Sequence, residues 1–258
     1  MPFIFAELGG LPCYRSPLLA AFPEVLHGFF TRRGGVSPEP FHSLNLSFTV
    51  GDQGPLVVHN RDLVQQALGL NGLVSATQVH GCRAFLVTAG NPASPAEIPD
   101  SDILLTQQRG LGLLIKQADC QAVMLYDPGR RVAANVHCGW RGQVANILRE
   151  AVTRLQERFG CRPQDLVAAL GPSLGPCCAE FRNYREEFPP ELWPYQVRPT
   201  YFDLWALSRD QLQAAGLKSQ QIDIAGICTR CRDEEFFSFR RDRITGRQGA
   251  VIALRLEK

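Results

Sequence analysis

Two of the five histidines in the chain stand where side chains can converge, and one cysteine shares their setting. His80 closes the apolar run Leu73 to Val79 and is followed by Gly81. His137 closes the run from Val132 and is followed by Cys138-Gly139-Trp140-Arg141-Gly142, while Cys120 sits in Ala118-Asp119-Cys120 after the run Gly112 to Gln117. Residues at strand exits beside glycine turns are placed to meet in a cleft, because a rigid scaffold carries the loops that hold them. Two imidazoles and one thiolate are a three-ligand set that suits zinc with the fourth position open, the pattern of a catalytic centre. The separations match no short zinc motif, so spacing alone leaves a buried free cysteine as a competing reading. The same residues would also serve a cysteine hydrolase, with Cys120 as nucleophile and His137 or His80 as its base.

Other candidates are weaker. His27, ahead of Gly28-Phe29-Phe30, and His59, within a helical pattern, read as structural or exposed. Cys138 follows His137 in an extended segment, so its side chain points to the opposite face. Cys228-Thr229-Arg230-Cys231 and the pair Cys177-Cys178 could clamp a structural zinc, but adjacent cysteines make a poor knuckle and no second CxxC exists. Core cysteines are the preferred reading there. The zinc deaminase signature is absent, since no histidine has glutamate two residues on.

The elements that must position these residues follow from periodicity. Apolar residues recur at helical spacing over Gln143 to Phe159, over Asp203 to Gly216 and, less clearly, over Leu56 to Leu68. Short apolar runs closed by turn residues predict strands at Val25 to Thr31, Leu73 to Val79, Ala84 to Thr88, Gly112 to Gln117, Ala122 to Tyr126, Val132 to His137, Leu166 to Leu170, Ile222 to Ile227, Phe236 to Arg240 and Ala250 to Leu256. Strands outnumber helices too far for a doubly wound sheet with one helix per strand. An α+β fold of mixed β-sheets covered by helices is expected, with a layered αββα sandwich as one arrangement, in a single domain over residues 1–258. Ala89 to Asp100, with three prolines, reads as a surface loop.

A chain of 258 residues with 45% hydrophobic content can bury a full core and still shape a cleft. The balance of 27 Lys+Arg against 25 Asp+Glu gives +2, which argues against a broad nucleic-acid footprint and leaves small anions as partners for the arginine pairs. Nine cysteines, an odd number, point to reduced thiols and a cytoplasmic setting. Neither a secretory signal nor a membrane-spanning run is read from the sequence, and a monomer is expected.

The blocks FTRRGGVS (30–37), SLNLSF (43–48), TQVHG (77–81), SDILLT (101–106), ADC (118–120), HCGWRG (137–142), GPSLGPCCAEF (171–181) and FFSFRRDRITGR (236–247) resemble, in family order, those of the YfiH-like or laccase-domain family. This family is also called multicopper polyphenol oxidase, and its bacterial members are described as purine nucleoside phosphorylases and peptidoglycan editing factors. The resemblance implies that His80, Cys120 and His137 bind zinc and carry catalysis. It also implies phosphorolysis of adenosine, inosine and S-methyl-5'-thioadenosine, with adenosine deamination as a second activity. The editing-factor description fits the hydrolase alternative, acting on an amide in a peptidoglycan precursor. The chain departs from the family pattern at Cys138 and at Gln121-Ala122. Copper is disfavoured despite the family name, because five histidines with no HxH pair cannot furnish a trinuclear cluster.

Phosphorolysis needs a phosphate held beside the anomeric carbon, hence guanidinium groups and backbone amides near the metal. Arg32, Arg33, Asn45 and Arg141 are the expected substrate-binding residues, followed by Arg240 and Arg241. Asp119 and Gln78 flank ligands and are placed to orient imidazoles or water.

Overall fold

The computed structural model describes residues 2–91 and 96–257, so part of the expected 89–100 loop lies outside the described residues. Its strands are β1 (Ile4–Leu8), β2 (Leu11–Arg15), β3 (Val25–Phe30), β4 (Gly72–Ser75), β5 (Ala84–Leu86), β6 (Ile103–Thr106), β7 (Leu111–Gln117), β8 (Gln121–Asp127), β9 (Val132–Cys138), β10 (Val167–Leu170), β11 (Gln196–Arg198), β12 (Tyr201–Phe202), β13 (Ile222–Ile224) and β14 (Gln248–Leu254). Its α-helices are α1 (Pro17–Ala20), α2 (Gly54–Leu68), α3 (Trp140–Val144), α4 (Ile147–Phe159), α5 (Tyr184–Glu187), α6 (Leu204–Ala214) and α7 (Phe239–Asp242). None is long and apolar enough to cross a membrane.

Two six-stranded mixed sheets run β1-β2-β3-β14-β7-β4 and β13-β10-β8-β9-β6-β5. Between them lies an apolar layer in which Phe29, Leu113, Ile115 and Ile252 of the first sheet meet Leu104, Met124, Tyr126 and Ala169 of the second. Helix α4 and Leu212 of α6 cover the outer face of the second sheet, while Val64 and Leu68 of α2 cover the first. This is the αββα order of layers. Because β8, β9 and β14 are covered on both faces, all seven residues of each are buried, and their sequences read as largely apolar runs instead of alternating ones.

Local chemistry sets where the structure departs from the periodicity. The helix expected over Gln143 to Phe159 is two helices, since Asn146 adopts left-handed backbone (φ 55°) and its side chain caps α4 by accepting the Arg149 N–H. Phe236 to Arg240 is not a strand: Phe236 and Phe237 are buried, and Ser238 then caps α7 by accepting the Arg241 N–H. The strand expected to reach Val79 stops at Ser75, and the Gln78 side chain takes over the sheet's role by bonding both N–H and C=O of Lys116. The hairpin β1–β2, strand β6 and the ribbon β11–β12 have no counterpart in the periodicity reading.

Asn146 combines two functions, a cap and a tolerated left-handed residue. Asn146→Ala should destabilise by about 1–2 kcal/mol, whereas Asn146→Gly, which keeps the backbone freedom, should cost less. Equal losses of both variants in denaturant unfolding would show that the backbone geometry at this joint has no energetic weight.

Candidate metal centre

The loop from Thr77 to Gly81 leaves the sheet edge and is gathered by one carboxylate. Asp102, fully buried just ahead of β6, accepts the N–H groups of Val79 (3.2 Å), His80 (3.1 Å) and Gly81 (2.8 Å). Its Oδ1 also meets Nδ1 of His137 at 2.7 Å, and its own carbonyl accepts the His137 N–H at 2.8 Å. One side chain therefore fixes the turn that presents His80, itself in left-handed backbone at φ 59°, and the ring orientation of His137. Bonding Nδ1 to a carboxylate leaves Nε2 of His137 to face the third residue, the arrangement that orients histidine ligands in metal sites. Burial of Asp102 works against its charge, but His137 and these N–H donors outweigh it and hold the carboxyl below its usual range.

Cys120 stands in the connection from β7 to β8, and its Sγ lies 3.7 Å from Nε2 of His80. The ligand atoms of His80, Cys120 and His137 all fall within 4.8 Å of one another. Bonds of about 2.3 Å to sulfur and 2.0–2.1 Å to nitrogen at tetrahedral angles separate the two ligand atoms by about 3.5 Å, so the donors stand at the spacing one zinc requires. Gly139 supplies the room: a Cβ there would come within 2.8 Å of the His80 ring and 3.2 Å of Cys120 Sγ. The donor set and this cradle fit a metal ion held by His80, Cys120 and His137. Burial alone would raise the Cys120 thiol, yet the two histidines pull it down to about 6. His137 is correspondingly held up to about 9, where burial opposes but Cys120 and Asp102 prevail.

The centre sits in a cavity of about 540 Å³, inside the range of about 300–1,000 Å³ usual for small-molecule sites. Trp140, Leu174, Phe181, Leu204 and Phe239 form its apolar lining, and Lys116, Arg141, Arg240, Arg243 and Arg247 bring positive charge. Lys116 is committed to Glu97, which also pairs with the buried Arg61 and accepts from Ser75 Oγ. Arg240 donates to the Glu180 carbonyl. Arg247 bonds the carbonyls of Thr245 and Gly246, Arg141 stacks on Trp140, and Arg243 lies over Phe239. No ion pair to these last three is found among the described residues.

The residues expected to bind substrate divide accordingly. Arg141 lines the cavity, as expected, and so does Arg240. Arg32 and Arg33 are not part of its lining: Arg32 donates to the His42 carbonyl and lies over Phe237, and Arg33 pairs with Glu234. Arg241 is likewise turned to Asp242 and to backbone carbonyls of residues 229, 230 and 236. Asn45 is fully buried behind the wall, bonded to Ser47, Asp52 and the Arg247 N–H. Asp119 orients no imidazole; its carboxylate accepts from Thr229 Oγ1 and the Arg240 N–H. The orienting role belongs to Asp102, whose signal in the sequence is an acid directly before the apolar run 103–105. Arg243 and Arg247 lie in the block 236–247 but not among the expected binders, because they flank a turn that carries no periodicity.

Of the remaining histidines, His27 is buried, accepts the Ser16 N–H through Nε2 and is held down to about 3 by burial and Arg15, while His59 is exposed on α2. Cys138 faces the α4 layer, opposite the centre, as alternation requires.

An αββα protein with a His2Cys centre at the floor of a cationic, aromatic-lined cavity is thus defined. The chain belongs to the family described as multi-copper polyphenol oxidoreductase laccase, whose model matches residues 26–255. It is 35% identical, over its whole length and 99% of the relative, to a protein of Geobacillus stearothermophilus named purine nucleoside phosphorylase YlmD. It is also 35% identical, over 95% of the chain and 94% of the relative, to a purine nucleoside phosphorylase of Deinococcus radiodurans. The crystal structure of YlmD from Geobacillus stearothermophilus superposes with a TM-score of 0.89 at 34% identity, covering 99% of this chain and 100% of that one. That of the Bacillus licheniformis hypothetical protein YfiH gives 0.86 at 31% identity, covering 95% and 96%.

The proton balance of the centre sets a pH dependence. Between about 6 and 9 the metal-free site holds a Cys120 thiolate and a His137 imidazolium, so a metal ion must displace one proton. Apparent zinc affinity should rise about tenfold per pH unit through this window, level off above about 9 and steepen below about 6, where the thiol also competes. Competition against a chelator of known affinity checks this, and a flat profile from pH 7 to 9 would refute the ion pair.

Proposed function

We propose that this protein is a zinc-dependent purine nucleoside phosphorylase that cleaves adenosine, inosine and S-methyl-5'-thioadenosine with phosphate and deaminates adenosine as a second reaction. The observation that carries the reading is a metal-ligand set and a group of arginines free of carboxylates in one cavity with an aromatic lining. The names of the relatives support the purine nucleoside phosphorylase part of this reading. A zinc ion held by His80, Cys120 and His137 would supply a Lewis acid and, for deamination, activate water. The rest falls to side chains. Trp140, Phe181 and Phe239 offer faces and edges to a planar base. Arg141, Arg243 and Arg247 have uncommitted donors to hold a phosphate beside the anomeric carbon, where one phosphate oxygen forms the new C–O bond as the C–N bond to the purine breaks and its electron pair leaves with the base. Arg247 is the most enclosed of the three; burial lowers its affinity for the proton, and the negative charges of Cys120 and Asp119 counter that effect. Asp102 holds the His137 ring still, so the centre needs no reorganisation during the reaction.

A second reading deserves a test because Asp102, His137 and Cys120 also form a carboxylate–imidazole–thiol series suited to a cysteine amidase on peptidoglycan precursors. It leaves His80, whose Nε2 lies on the same sulfur, without a part.

Inosine should yield ribose 1-phosphate only when phosphate is present, and chelation should abolish the activity. Hydrolysis of a peptidoglycan-precursor amide that survives chelation but not thiol alkylation, with no phosphorolysis of inosine, would favour the amidase reading instead. Cys120→Ala should lose both pocket metal and turnover. Arg141→Ala and Arg247→Ala should each raise KM for phosphate or lower the rate by about tenfold or more with zinc retained, at least about 1.4 kcal/mol. Unchanged phosphate kinetics in both folded, metal-replete variants would move the anion site elsewhere.

A further inference from the structure

In the loops 171–181 and 228–238, four further cysteines come together. We infer that Cys177, Cys178, Cys228 and Cys231 bind a second, structural zinc ion that fastens one wall of the pocket. Their four Sγ atoms lie within 4.8 Å of one another, with Cys231 Sγ 3.6 Å from Cys177 and 3.5 Å from Cys178. The edge of a tetrahedron with bonds of about 2.3 Å to sulfur is about 3.8 Å, so these separations suit four thiolates around one zinc. A disulfide would need about 2.05 Å, and Cys231 stands equally far from two partners, which selects neither.

The sequence objection to this cluster, that adjacent cysteines diverge, holds only for extended backbone. Residues 176–178 form a turn in which the Cys178 and Ala179 N–H groups both return to the Gly175 carbonyl, so Cys177 and Cys178 reach the same point. Two independent features support thiolates here. The Gly175 N–H donates to Cys228 Sγ at 3.4 Å, and a Cβ on Gly175 would crowd Cys228 Cβ at 3.2 Å and Trp205 at 2.7 Å, so glycine permits the approach. Arg230, inside the CxxC, sets Nη1 at 3.5 Å from Cys178 Sγ and offsets part of the negative charge that four thiolates leave around a divalent ion. Backbone N–H···S bonds and a neighbouring cation are what stabilise such a site.

The cluster lies next to the pocket wall in the chain and through hydrogen bonds. Thr229, between its cysteines, bonds the Asp119 carboxylate through Oγ1, and Arg240 of the cavity bonds the carbonyl of Glu180, three residues beyond Cys177. A metal ion here would join the loop after β10 to the loop after β13 independently of the chemistry at Cys120.

Wild-type protein purified under reducing conditions without added metal is expected to carry two zinc ions per chain. X-ray absorption should then average about 2.5 sulfur neighbours per zinc, from one site with four and one with a single thiolate. Cys228→Ser/Cys231→Ser should lose one equivalent and keep the pocket ion, and Cys120→Ala should lose the other. One zinc with four sulfurs would still support the inference even if the pocket reading fails. One zinc with a single sulfur in the wild type, or a disulfide among these cysteines by thiol counting, would overturn it.

Discussion

The candidate site depends on the buried carboxylate of Asp102. Placed ahead of a fully buried strand and shut off from the solvent surface, it is satisfied by four donors from two segments remote in sequence. Unpaired, a buried carboxylate would cost several kcal/mol, so the turn at Val79–Gly81 and the ring of His137 are drawn to it. The left-handed backbone of His80 is part of that settlement. The geometry of the candidate site and the satisfaction of a buried charge rest on one residue, which offsets the cost of the left-handed backbone at His80.

The layered architecture gives this clamp a fixed frame. Strands β6 and β9 pair antiparallel, with Ile103 opposite Val136, so Asp102 and His137 meet at the same level of one sheet. Cys120 enters from the turn between β7 of one sheet and β8 of the other, and the gap between the two sheets opens there into the cavity. Candidate ligands set on β9 and on two loops that cross from the first sheet to the second hold their geometry only while the sheets keep their spacing. The apolar layer between them, with Met124, Leu113 and Ile252 fully buried, therefore supports the centre as directly as any hydrogen bond.

What could be read from the residues followed physical period. Buried central strands such as β8 and β9 appear as largely apolar runs; α2 closes at Gly69 as its glycine suggests, whereas α6 stops at Ala214, short of Gly216. His80, Cys120 and His137 were legible as a set because imidazoles are few and each stands beside a turn. The edge strand β1 and its neighbour β2 escaped: Ile4–Leu8 is largely exposed and Leu11–Arg15 contains a proline, so neither carries a clean alternation. Asp102 escaped because a carboxylate before a strand looks the same whether it clamps a loop or meets solvent. Arg32 and Arg33 drew attention as a charged pair, yet a nearby carbonyl, an aromatic face and a carboxylate satisfy them away from the cavity.

Strand β14 occupies the centre of its sheet, between β3 and β7, although it follows every other strand in the chain. During synthesis β3 and β7 therefore emerge long before the strand that joins them, and their facing edges stay unpaired until the ribosome has delivered residues 248–254. Arg247 of the cavity arrives in the same step. The first sheet thus closes late through contacts remote in sequence, a topology that favours slow folding and leaves the nascent chain reliant on protection of those open edges.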